Sequence, residues 1–329
     1  MPNLKIYQQV DLDQIIKTRT GETKLGEKIN LDWQANEVKF VLLGIAEDFG
    51  VRLNGGIGGT QTAWKSFVSA FLNIQSTKLL IGSEIGIYGC LSFDDLEINS
   101  KSVELIDNEV VKAIFEIVNL GKTPIIIGGG HNNAYPIIKG VSQAKKQAIN
   151  TINLDAHSDF RVKHGRHSGN GFRYAFDEGF LQKYAIIGLH ENYNSQAIID
   201  EISQNPAINF LFWEDIFLRE KTTFKEAILQ AVDFTKNSPT GIELDLDCVE
   251  NILSSAMTPC GISTTQARQY IYQTATLVDA AYLHICEGAV ELSTGQADFS
   301  TGKLISYLVS DFMKAFLSKI ATEARINTD

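Results

Sequence analysis

Long apolar runs are missing from the 329 residues: none approaches the roughly 20 needed to cross a bilayer as a helix. The start, MPNLKIYQQVDLDQ, has neither a basic nor an apolar stretch of the kind a secretion signal carries, so a cytoplasmic location is the default expectation and no membrane partner is expected. Cysteine is scarce. Cys90, Cys248, Cys260 and Cys286 are far apart and show no CxxC spacing, which argues against a zinc ribbon or a disulfide-stapled module; all four read as buried thiols. Positive charge is in deficit, with 29 Lys and Arg against 39 Asp and Glu, and the formal charge of -10 disfavours nucleic acid as a partner. There is no internal repeat, no low-complexity tract and no Pro/Gly/Ser linker, so one domain over 1–329 is the economical reading, with 1–36 as a weakly patterned N-terminal segment.

What is present suits a large globular core: 44% of the residues are hydrophobic. The first strong strand signal is EVKFVLLGIAEDFG, where the sheet is expected to begin near Val38. Similar short runs follow at 78–81, 123–127, 149–154, 184–189, 208–212, 241–246 and 280–285. They are rich in Ile, Leu and Val and do not alternate, as strands buried on both faces of a parallel sheet do. Helical spacing occupies 103–120 and 222–236, and a closing helix is expected over about 302–322. Alternating strands and helices predict a three-layer α/β/α sandwich around a mostly parallel eight-stranded sheet; a TIM barrel shares the alternation, so periodicity does not separate the two.

In both architectures ligands bind where the strands end at their carboxyl side. Three such ends are unusual. TPIIIGGGHNNAYP ends in three glycines and His131, INTINLDAHSDFR ends in Asp155, His157 and Asp159, and GIELDLDCVE ends in Asp245 and Asp247. If the backbone stays extended through Asp159, the i, i+2, i+4 spacing turns those three side chains to one side. A lone Asp at a strand end is usually a helix cap, but caps do not call for DxHxD and DxD together. Four carboxylates in one water-poor pocket repel each other unless cations neutralise them. Mixed oxygen and imidazole donors suit Mn²⁺, with Zn²⁺, Fe²⁺, Co²⁺ or Ni²⁺ as other occupants, and six side chains are enough for two ions with a water between them as nucleophile.

GGGHNNAYP, DAHSDFR and ELDLD resemble the three metal-binding motifs of the ureohydrolase superfamily of arginases, agmatinases and formimidoylglutamases, in the same order and with similar spacing. The resemblance runs from about residue 40 to 322 and takes in GGIGGTQTAWKSF, SSAMTPCG and ICEGA. It implies an arginase-like α/β/α fold and two Mn²⁺ held by His131, Asp155, His157, Asp159, Asp245 and Asp247. It also implies hydrolysis of a C–N bond in a small linear amidine or guanidine, with Asp159 relaying a proton and Glu287 facing the cationic amidinium. The family also contains homo-oligomers. Two departures stand out: Glu243 occupies a position where Ser or Thr is usual, and Glu250 replaces an Asp.

Gly130 before the first metal histidine, with AYP following, is closer to formimidoylglutamases than to arginases or agmatinases. In RVKHGRHSGNGFRYAF, Arg161, Arg166 and Arg173 fall within thirteen positions, and guanidinium groups would suit the two carboxylates of N-formimidoyl-L-glutamate. Arg161, Arg173, His167, Ser168, Asn170 and Asn192 are the candidate substrate-binding residues. SGN also resembles an arginase loop, but Phe172 stands where that loop carries a histidine. His164 and His284 receive no role. A guanidine hydrolase releasing urea and a non-catalytic metal-binding relative remain the alternatives.

Overall fold

The computed structural model describes residues 3–326, and the apolar runs become strands of one open sheet. In chain order these are β1 (Leu4–Lys5), β2 (Phe40–Ala46), β3 (Ile85–Ser92), β4 (Thr123–Ile127), β5 (Ile149–Leu154), β6 (Leu181–Leu189), β7 (Ile208–Phe212), β8 (Thr240–Asp245) and β9 (Ala280–Cys286). Across the sheet the order is β1-β3-β2-β4-β9-β8-β5-β6-β7, with every pair parallel except β1 and β3. The sheet has two edges, which removes the barrel alternative.

Alternation is absent because both faces are covered. Leu42, Ile125 and Leu283 pack on one side with Trp64, Phe67 and Phe312, while Val41, Ile126 and Tyr282 pack on the other with Val110, Ile114 and Ile138. Each such side chain contributes about 1.5–3 kcal/mol by leaving water. The first layer contains the helices Ala63–Phe71, Phe224–Thr235, Thr264–Leu277 and Ser300–Ile326; the second contains Ser100–Asn119 and Ala134–Lys145. Helix starts follow their caps. Asn99 accepts from Ser102 N at 3.0 Å, and Thr223 and Glu226 form a reciprocal capping box.

Three expectations need correcting. The sheet has nine strands among the described residues, not eight, and it does not begin at Val38: β1, inside the segment that reads as weakly patterned, pairs Leu4 with Leu91 and Lys5 with Cys90. A two-residue edge strand has no period to read. Residues 78–81 form a turn with Leu79 and Ile81 largely exposed, and the strand comes at Ile85–Ser92. Its glycines mask it. Gly89 has φ +141, and a Cβ there would meet Lys5 O at 2.5 Å, so β1 can lie against β3 only because that side chain is missing.

The cysteine reading also changes at one position. Cys90, Cys248 and Cys286 are buried, but Cys260 is exposed in the loop after β8. Burial pushes the Cys90 thiol up to about 12 and those of Cys248 and Cys286 well above their usual value. Alkylation of the folded protein at pH 8 is therefore expected to add one label, at Cys260, and four labels in denaturant, as read by intact mass. Two or more labels in the native state would contradict this burial pattern.

Candidate metal centre

The order β4-β9-β8-β5 brings together the three strands whose carboxyl ends carry the unusual sequences, β4, β8 and β5, with β9, which Glu287 follows, between β4 and β8. After β4 the chain turns through Gly128 (φ +94) and Gly129 (φ +74) into a single 3₁₀ turn, His131–Asn133. A Cβ on Gly129 would sit 2.3 Å from Asn133 Nδ2 and 2.8 Å from Glu47 Oε1, so only glycine can make this turn. Glu47, just beyond β2, holds it. Its carboxylate accepts from Phe49 N at 2.7 Å, Gly130 N at 3.0 Å and Asn133 Nδ2 at 2.6 Å. Glu47 received no role in the sequence reading, although a charge ending an apolar strand was its visible signal.

His131 is fully buried, and its Nδ1 faces Asp159 Oδ2 at 2.9 Å, Asp155 Oδ2 at 3.2 Å and Asp245 Oδ2 at 3.2 Å. A second cluster lies beside it, with His157 Nδ1 3.4 Å from Asp247 Oδ2 and 3.6 Å from Asp155 Oδ1. Asp155 belongs to both clusters, one oxygen to each. All six predicted donors are thus brought together in two groups whose donor atoms lie within 4.8 Å of one another.

The local reason differs from an extended strand. β5 stops at Leu154 and Asp159 takes φ +46, so the backbone curls through 155–159. Asp155 Oδ1 accepts from His157 N at 2.7 Å, and Asp245 Oδ1 accepts from Asp247 N at 2.8 Å. These are the same Asp turn twice. In each, Oδ1 fixes the loop and Oδ2 faces His131, and Asp155 Oδ1 in addition faces His157 in the second cluster.

This donor set fits divalent cations. His131 Nδ1 and Asp247 Oδ1 are buried without a hydrogen-bond partner, and among the described residues no Lys or Arg pairs with any of the four aspartates. Burial and the neighbouring Asp247 push the Asp245 carboxyl well above its usual range, and burial and Asp155 raise that of Asp159. Burial also opposes charge on Asp155, but His131 and His157 outweigh it and hold that carboxyl below the usual range. Buried acids of this density call for positive charge.

His157, Asp159, Asp245, Asp247 and Glu287 form the floor of an open cleft of about 670 Å³. Glu287 follows β9 with φ +59, and its Oε1 accepts from His131 N at 2.8 Å. Burial, with Asp247 second, lifts its carboxyl to about 8.

Of the predicted substrate residues, Arg161 and Ser168 line the cleft wall. Arg161 is exposed and donates through Nη1 to Asn54 Oδ1 at 3.1 Å, while Asn54 Nδ2 donates to Ser168 Oγ at 3.2 Å. Asn54 had not been singled out. The other predicted residues lie elsewhere. Arg173 lies over the Phe160 ring and binds both oxygens of Glu201 at 2.6 Å. Arg166 is buried between Tyr135 and Tyr174 and donates to Asp107, Asn170 and Asn132 O.

Asn170 is spent on Arg166, His167 N and Gly165 O, and His167 Nδ1 accepts from Gly169 N, so both build the loop and neither lines the cleft. Asn192 is exposed outside the cleft; its neighbours Tyr193 and Asn194 line it, with Tyr193 stacked on His157 at 5.4 Å. Phe172 is buried edge-on to His131 at 5.0 Å, out of reach of any substrate. Glu250 is exposed at the surface, whereas Glu243 is fully buried behind His131.

A family model described as the Arginase family matches residues 39–310. Among curated proteins, the chain is 31% identical over 223 residues to a formimidoylglutamase of Streptococcus gordonii and 29% identical over 220 residues to one of Streptococcus pyogenes serotype M3. Both alignments cover 64% of this chain and 64% of the relative, so the match spans less than two-thirds of their length. Among solved structures, Trypanosoma cruzi formiminoglutamase with Mn²⁺ superposes at a TM-score of 0.76 with 18% identity, over 91% of this chain and 99% of that one. The formimidoylglutamase of Bacillus subtilis superposes at 0.75 with 19% identity, over 92% and 94%.

Proposed function

Because the chain belongs to the arginase family, we propose that it hydrolyses N-formimidoyl-L-glutamate to L-glutamate and formamide. The observation that carries this reading is the pairing of two donor clusters, joined through Asp155, with a cleft whose wall carries Arg161. An amidine carbon held on the floor would leave the glutamate carboxylates to meet the Arg161 guanidinium on the wall of the same cleft.

The centre would hold two Mn²⁺, the ion bound by the related Trypanosoma cruzi formiminoglutamase, one by His131, Asp155, Asp159 and Asp245 and one by Asp155, His157 and Asp247. Bound there, two such ions supply a nucleophile from water near neutral pH. The chain's own residues do the rest. Glu287 has one oxygen committed to His131 N and the other free to accept from the amidinium N–H groups, which turns the planar carbon toward the floor. Water adds to that carbon and gives up a proton to Asp159, the bond to the glutamate nitrogen breaks, and Asp159 passes that proton to the departing nitrogen. Arg161 holds the anionic end throughout. The same reading makes the chain one catalytic unit working in the cytoplasm, alone or as a homo-oligomer.

The test is a side-by-side assay of Mn²⁺-loaded protein on N-formimidoyl-L-glutamate, arginine, agmatine and guanidinobutyrate. Formamide from the first, at a kcat/KM at least about tenfold above the others, is expected. Preference for arginine or agmatine would replace this substrate with a guanidine, and two bound ions without hydrolysis of any of the four would make the chain a metal-binding relative.

A further inference from the structure

The sheet interior holds a polar cluster with no evident place in an apolar layer. Glu243 on β8 and His284 on β9 are register partners, and Tyr282 lies on the same face of β9. All three are fully buried. Tyr282 donates its hydroxyl to Glu243 Oε1 at 2.6 Å, and His284 Nδ1 lies 2.6 Å from Glu243 Oε2. The other ring nitrogen of His284 faces Gly128 O at 3.4 Å, the start of the turn that presents His131. A buried carboxylate is unfavourable by several kcal/mol unless something needs its charge.

What needs it is His131. Its Nδ1 points into the first donor cluster, and its Nε2 points the opposite way, 3.5 Å from Glu243 Oε2. Among the described residues Nε2 has no hydrogen-bond partner and Glu243 is the only carboxylate near it. An imidazole that binds a cation through Nδ1 carries its one proton on Nε2. The Glu243 charge 3.5 Å behind Nε2 favours the proton on that side and so leaves the Nδ1 lone pair for a cation. The ring plane is already fixed by Phe172, edge-on at 5.0 Å.

We propose that Glu243, clamped by Tyr282 and His284, is the positioning residue that holds His131 as an Nδ1 donor to the first cation. This rests on the two-cation reading above. It also gives a use to the two residues that looked most out of place in the sequence, the Glu243 departure and the roleless His284.

Glu243→Gln keeps the volume but removes the charge and, with its carbonyl held by the Tyr282 hydroxyl, turns an amide N–H toward Nε2, which loosens the hold on the Nε2 proton. In Mn²⁺ titrations by calorimetry, the variant is expected to bind one ion as the parent does and the other about 10–100-fold more weakly. Tyr282→Phe, which removes one clamp and keeps the carboxylate, should give a smaller loss at the same site and carries the test if Glu243→Gln does not fold. A merely structural role predicts a lower Tm with both ions bound at parental affinity, and that result in either variant overturns the proposal. A parent protein that binds no Mn²⁺ is a different failure, because it removes the two-cation reading itself.

Discussion

Asp155→Asn is expected to lose both cations and to lower turnover by at least about 1000-fold, some 4 kcal/mol of transition-state stabilisation. Its carboxylate is the one group shared by the two clusters, with Oδ2 toward His131 and Oδ1 toward His157. The amide keeps the size and one acceptor, so the loop hydrogen bond from His157 N, 2.7 Å in the parent, can survive and the fold with it. What disappears is the charge and one of the two oxygens, which leaves one cluster facing an N–H donor. Asp247→Asn separates the effects, since Asp247 serves only the second cluster; it should retain about one ion per chain and still be inactive. Asp159→Asn should likewise be inactive with reduced metal, having lost both a donor and the proton relay. Metal content by atomic emission, beside turnover and Tm, reads all three variants. An Asp155→Asn protein that keeps two ions and turns over within about tenfold of the parent would mean that the six side chains converge for a purely structural reason.

The donors could be read from sequence because a run of Asp and His at the carboxyl end of a mostly apolar parallel strand has nowhere to sit except the ligand-binding edge. How they converge could not. Regular i, i+2 spacing suggests an extended chain, yet Asp155 and Asp245 bend it by binding N–H groups two residues on. The substrate loop misleads for a related reason. Arg166, His167, Asn170 and Arg173 read as a binding cluster, but two of the partners that occupy them, Asp107 and Glu201, lie 59 and 28 positions away. A polar side chain in a loop has the same local appearance whether it faces solvent, substrate or a distant acid. Glu243 shows the converse: judged against a pattern it is a departure, but its partners Tyr282 and His284 stand on the next strand, 39 and 41 positions on, and hold it 3.5 Å behind His131.

Arg161 is the one predicted arginine that reaches the cleft, and its removal should divide substrates by charge. In Arg161→Ala, kcat/KM for N-formimidoyl-L-glutamate is expected to fall about 100-fold, mostly through KM, as loss of a charge-assisted contact of roughly 1.5–3 kcal/mol requires. Formamidine, which has the reacting carbon but no carboxylate, should be hydrolysed at the parental rate because the floor of the cleft is untouched. The guanidinium is held in place by Asn54, 3.1 Å from Nη1, so it is partly ordered before substrate arrives and loses less freedom on binding. Arg161→Lys keeps the charge but not the planar fork and should recover only part of the loss. Arg173→Ala provides the comparison: with both terminal contacts on Glu201 and no place in the cleft wall, it should leave kinetics on both substrates unchanged. Equal losses on formamidine and formimidoylglutamate would show that Arg161 supports the loop rather than the carboxylates. An unchanged KM for formimidoylglutamate would remove the basis for choosing a dianionic amidine over a guanidine.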